Sequence, residues 1–132
     1  MHSECIEIIV ALSPTNLEPI HRSQFGWGRA LDRGNPNPGN IGSDFNRFAL
    51  DFWREVKSHD FRNDDGQAML EELNQWRNAI SHQDFDPSRL GGTTTLHLNR
   101  VRSWRRALNR LARSFDNVMQ SYLGNLIGKP PW

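Results

Sequence analysis

A chain of 132 residues with a net charge of +1, 36% hydrophobic residues and a mean hydropathy of −0.70 is long enough for one domain with its own core. It lacks the strong basic field that would by itself announce a nucleic-acid partner. The single cysteine, Cys5, excludes an intramolecular disulfide framework, and no apolar run reaches transmembrane length, so the expectation is one cytoplasmic domain over residues 1–132.

Such a thin apolar content favours helices with narrow buried stripes over buried strands. Residues 3–12 form a short Ile- and Val-rich stretch that periodicity alone allows as helix or strand and that is read as a first helix. From 14 to 43 the pattern dissolves. Nine of the 17 Pro and Gly residues fall there, among them Pro36, Pro38 and Gly39, and the segment reads as a long irregular connection. Ser43 then suits an N-cap, and Phe45, Phe48, Ala49, Phe52, Trp53 and Val56 recur at helical spacing as one expected buried face. A further helix is expected from about Asp64, with two acids in its first turn and a stripe of Met69, Leu73, Trp76 and Ile80. After Gly91-Gly92 a long closing helix carries Val101, Trp104, Leu108, Leu111, Phe115, Val118, Tyr122 and Leu126 in alternating threes and fours. Gly124, Gly128 and two prolines close it, and Trp132 is expected to pack back onto a helix or partner. Together these elements predict an all-α, up-and-down bundle of four to five helices.

The segment that could carry chemistry is Arg77-Asn78-Ala79-Ile80-Ser81-His82. Its spacing alone is weak: with 14 Arg and five His in the chain, chance supplies about half of one Arg-x4-His match, and Arg54 to His59 is a second instance. Context separates them. A stripe centred between Trp76 and Ile80 points Asn78 and His82 outward together, with Arg77 on the flank and its long side chain able to bend toward His82. The same construction separates Arg54 from His59. Cleavage of RNA by its own 2′-hydroxyl needs proton transfer and charge stabilisation but no protein nucleophile. An imidazole, with an ordinary pKa of about 6.5, serves the first, and a guanidinium aimed at the phosphate serves the second. Asn78, one turn from His82, could hold a ring nitrogen or the phosphate. The bland alternative is an Arg and a His that only solvate a helix end.

These residues resemble the motif of the HEPN superfamily, whose ribonuclease members carry Arg, four to six residues, then His, often with Asn directly after the Arg. The resemblance runs from about Phe45 to the end and is closest to the RiboL-PSP-like and toxin branches. It implies a four- or five-helix bundle that dimerises so that two motifs form one composite, metal-independent site containing Arg77 and His82, supported by Asn78. It implies an endoribonuclease leaving 2′,3′-cyclic phosphate and 5′-hydroxyl ends. A toxin or defence effector is the expected context, with a nucleotidyltransferase-like antitoxin as a possible partner. The chain departs from the family where Gly often follows the motif His, since Gln83 stands there.

Six arginines between Arg100 and Arg113 have no acid among them. Arg102, Arg106, Arg110 and Arg113 are expected to face away from the stripe, either as a solvated face or as a surface tracking RNA, while Trp104 is expected in the core. The scattered histidines and lone cysteine give no close ligand pairing, and neither a metal nor another cofactor is assigned. The competing function is a non-catalytic HEPN module for nucleotide or RNA binding, or for protein assembly.

Overall fold

The structure is a computed structural model that describes residues 2–12 and 17–131, with side chains from residue 4. Trp132 and residues 14–16 of the expected connection lie outside the described residues. The described chain is all α-helical, with seven helices and no strand: α1 (His2–Ala11), α2 (Glu18–Gly26), α3 (Ala30–Arg33), α4 (Pro38–Asn46), α5 (Phe52–His59), α6 (Asn63–His82) and α7 (Leu98–Ile127). None of them is long and apolar enough to cross a membrane.

The surplus over the expected four to five helices comes mainly from the segment read as irregular. Its prolines initiate helices there. Pro19 and Pro38 stand in the first turns of α2 and α4, where a helix has no intrahelical use for the missing N–H. Asn37 caps α4, its side chain accepting from Asn40 N at 2.8 Å. Asp44, fully buried near the end of α4, caps α3 from outside: its carboxylate accepts from Ala30 N at 2.7 Å and Leu31 N at 3.0 Å. A four-residue helix, too short to persist alone, is thus held by a charge on its neighbour.

The expected continuous helix from Ser43 to Val56 is instead two. Ser43 lies inside α4, Ala49 takes a left-handed conformation (φ 57°), and Asp51 caps α5 by accepting from Arg54 N. Ala49 is exposed, whereas Phe45, Phe48, Leu50, Phe52 and Val56 are buried. The bend lets Phe45 and Phe52 both meet Phe115 edge-on, with ring centroids 5.0 and 4.8 Å apart. Such pairs add about 0.5–1.5 kcal/mol beyond area burial. Gly42 lets Trp53 lie across α4, since a Cβ there would meet the indole at 3.0 Å, and the Trp53 Nε1 donates to Pro38 O at 2.8 Å.

α6 and α7 form the central antiparallel pair. Arg100 and Trp104 at one end of α7 meet Glu72, and Arg110 reaches the Arg62 carbonyl further along. α7 buries Trp104, Ala107, Leu111, Ser114, Val118, Met119 and Leu123, one stripe at helical spacing, as expected of Trp104. Val101 and Leu126 at its ends are exposed. On α6 the stripe is displaced from the expected one. Gly66, Leu70, Asn74, Trp76 and Ala79 are buried while Ile80 is 55% exposed, because α7 begins short of the last turn of α6 and leaves Ile80 uncovered.

The core has two parts. The larger joins α1, α4, α5 and α7 around Phe45, Phe52, Met119 and Leu123. The smaller packs Trp76 and Ala79 of α6 against Trp104 and Leu90, and it is the floor of the candidate site.

Candidate functional site at the end of the sixth helix

α6 stops at His82 because Gln83 turns left-handed (φ 54°, ψ 32°). The Gln83 N–H then bonds back to Ile80 O and the Asp84 N–H to Ala79 O at 3.0 Å, the paired bonds of a Schellman stop. This is the position at which glycine is favoured. Gln83 fills that position here, and the helix ends in a regular left-handed turn without a glycine.

The chain beyond folds back over the small core. Asp86 accepts from the Ser88 N–H and hydroxyl, and Gly92 N donates to Pro87 O. Leu90, 2% exposed, plugs against Trp76, Ala79 and Trp104. That anchor sets Arg89 beside the helix end. Gln75, Asn78, Ala79, His82, Asp84, Arg89 and Leu90 line a cavity of about 90 Å³. The space is small beside the roughly 300–1,000 Å³ of small-molecule sites, so it suits one group of a larger ligand.

The His82 imidazole is exposed and makes no hydrogen bond or ion pair among the described residues. Asn78 is half-buried and lines the cavity with it. Arg77 does not. Its guanidinium is exposed and turns to the Asn35 side chain, Nη1 donating to Asn35 Oδ1, so the expected bend toward His82 is absent and the two share no cavity within one chain. The burial of Ala79 explains this. With Trp76 and Ala79 as the inward pair, Arg77 and Asn78 leave the helix on either side of the outward direction, and His82 falls above Ala79. Asn35 spans the gap, its Nδ2 donating to Asn78 Oδ1 at 2.8 Å.

No family model, curated protein or solved structure matches the chain.

The second Arg-x4-His pair behaves differently from its reading. Arg54 and His59 line one cavity of about 520 Å³ beside Asp51, Glu55 and Tyr122. Arg54 is engaged there by Glu55 at 3.2 Å and Asp51 at 3.8 Å, and His59 lies 3.4 Å from Asn117 Nδ2. Two carboxylates against one guanidinium make that cavity hostile to phosphate.

On α7, Arg102, Arg106 and Arg113 are exposed as expected. Arg110 is not part of that face: it is half-buried and donates to the Arg62 carbonyl at 3.3 Å. Arg105, unassigned from sequence, joins the exposed arc. Glu72 steadies the start of this helix, bonded by Arg100 and by the Trp104 indole at 3.2 Å. Partial burial pushes its carboxyl upward, but the hydrogen bonds from Arg100 and Trp104 and the nearby guanidinium charge together outweigh that and hold it below the usual carboxylate range.

Sequence reasoning missed two residues at this end, Arg89 and Asn35. Both reach the motif by tertiary packing. Asn35 left only the indirect signal of Gly34-Asn35-Pro36-Asn37-Pro38, a run dense in side-chain amides and turn formers.

Proposed function

We propose that the chain is a HEPN-like, metal-independent endoribonuclease acting as a homodimer. The carrying observation is the placement of His82, exposed and unpaired among the described residues, beside Asn78 in a cavity at the end of α6, with Arg77 tied to Asn78 through Asn35. His82 exchanges protons with the ribose 2′-hydroxyl and the leaving 5′-oxygen. Arg77 meets the charge that builds on the phosphate, and Asn78 donates to a phosphate oxygen. The bond from the 2′-oxygen to phosphorus forms as the bond to the 5′-oxygen breaks, leaving a 2′,3′-cyclic phosphate and a 5′-hydroxyl.

Separation of Arg77 from His82 within one chain favours a composite site, completed by a second copy around a two-fold axis. The surroundings agree. Ile80, Phe85, Leu98 and Val101 are exposed on the end of α6, the following loop and the start of α7, apolar side chains of the kind a partner covers. The exposed Arg102, Arg105 and Arg106 of α7 are the cations this reading gives to the RNA backbone beyond the cleft. A toxin or defence role, restrained by a nucleotidyltransferase-like antitoxin, belongs to this proposal through the resemblance alone.

The bond from Arg77 to Asn35 also suits a second reading, a non-catalytic module whose motif end docks on RNA or on another protein. Incubation with RNA in EDTA separates the two. On the nuclease reading the wild type cleaves and leaves cyclic phosphate ends, and His82→Ala and Arg77→Ala each lower the rate at least about 100-fold, the scale of general acid–base contributions. Arg54→Ala and His59→Ala leave it unchanged. Loss of cleavage in His59→Ala with retention in His82→Ala would transfer the chemistry to the other cavity. Binding without cleavage would establish the module.

A further inference from the structure

We infer that Asn35 is a positioning residue that holds the Asn78 side chain with its NH2 toward an anionic oxygen, the phosphate of the substrate, in the cavity Asn78 lines with His82. The inference rests on the nuclease reading for the identity of that phosphate and on geometry for everything else.

The argument is one of donors and acceptors. A guanidinium can only donate, so the atom that Asn35 presents to Arg77 is its oxygen. That choice leaves the Asn35 NH2 for Asn78, to which it donates at 2.8 Å. Asn78 must then present its own oxygen to Asn35. Its NH2 makes no hydrogen bond among the described residues and is the end left to the cavity that Asn78 lines with His82 and Arg89. One amide thus removes the Asn78 oxygen, which would repel phosphate, and keeps the Asn78 donor. Arg77, outside that cavity, spends one of its five N–H groups on Asn35.

Asn35 can do this because its backbone is held independently of its side chain. Its carbonyl accepts from Asn37 N at 2.7 Å and from Asn40 Nδ2 at 2.8 Å. Gly34 leaves room for that second bond, since a Cβ there would come within 2.7 Å of Asn40 Nδ2. The next carbonyl, of Pro36, accepts from Asn74 of α6 at 3.4 Å. The segment therefore stays docked when the Asn35 side chain is changed.

Two substitutions at Asn35 test the assignment because they separate orientation from attachment. Asn35→Ala removes both side-chain bonds and frees the Asn78 amide to turn. Asn35→Asp keeps and strengthens the bond from Arg77 but cannot donate, so Asn78 must turn its NH2 toward residue 35 and its oxygen into the cavity. Affinity for inorganic phosphate, read from NMR shifts of the Asn78 side-chain amide and Arg77 Nε, should fall about threefold in Asn35→Ala and at least tenfold in Asn35→Asp. kcat on RNA should follow the same order, with melting temperatures within a few degrees of wild type. The new carboxylate weakens phosphate binding by charge alone, so the deciding readout is the Asn78 amide. A positioning role turns it in Asn35→Asp, as NOEs to its NH2 protons report, whereas a purely structural role leaves it unturned. An unturned amide, or equal affinities in all three proteins, overturns the inference. A wild type that binds phosphate in this order but does not cleave RNA refutes the nuclease reading and leaves Asn35 in its role. A wild type that does neither refutes both.

Discussion

Single side chains at this molecule's turns carry conformational costs that can be measured. Ala49 and Gln83 are the described non-glycine residues with positive φ, at 57° and 54°, a region that costs an L-residue about 1–2 kcal/mol and glycine almost nothing. Gln83→Gly should therefore raise the unfolding free energy by about 0.5–1 kcal/mol after the extra freedom of an unfolded glycine is deducted, as checked by urea denaturation. Because the turn is already formed, its activity should stay at the wild-type level. Asp44 lies at the opposite extreme, a buried carboxylate whose partners are the amides of Ala30 and Leu31, with Arg47 Nε 3.9 Å away. Asp44→Ala should cost about 2–3 kcal/mol, the scale of charge-assisted bonds plus two stranded donors. A loss below about 0.5 kcal/mol would mean that α3 is held by something else.

At the scale of elements, the site depends on how α6 and α7 are locked. Glu72 joins them, and its carboxyl is held below the ordinary range, so its folded pKa lies under its unfolded one. The sign follows from proton binding: over that window the unfolded state holds more protons, and the stabilisation from Glu72 is complete above the ordinary carboxylate pKa and lost as pH falls through the lower folded value. Glu72→Gln should remove that part of the acid-side slope, and melting curves between about pH 3 and 6 would read it, pH 6 lying well above the ordinary value of about 4.3. An unaltered slope would place the acid sensitivity on other carboxylates. The division of the expected 43–56 helix has the same lesson. Its apolar period is continuous through Phe45, Phe48, Phe52 and Val56, yet Asp51 caps a new helix and Ala49 turns the chain, and in the bent chain Phe45 and Phe52 both meet Phe115.

For the whole molecule, the decisive question is whether one chain suffices. Arg77 and His82 leave α6 in different directions, and Ile80, Phe85, Leu98 and Val101 are exposed in the single chain. If a second copy completes the site, Ile80→Glu should convert a dimer to a monomer in light scattering at micromolar concentration. It should also lower RNA cleavage at least tenfold with little change in melting temperature, since Ile80 contributes little to the core. A wild type that is monomeric and fully active would remove the composite site.

By itself the sequence determined the helical class, the start of α6 near Asp64, the long closing helix with Trp104 inward, and the exposure of His82. Those follow from local period and capping, which a single chain carries in every short window. Only the tertiary structure decided that the proline- and glycine-rich stretch holds three helices, that Arg110 is drawn inward, that Arg77 answers to Asn35, and that Arg89 joins His82. Those depend on residues far apart in the chain meeting as donor and acceptor or as wall and floor. The Asn35 contact with Arg77 spans 42 positions, and no helical period reaches that far.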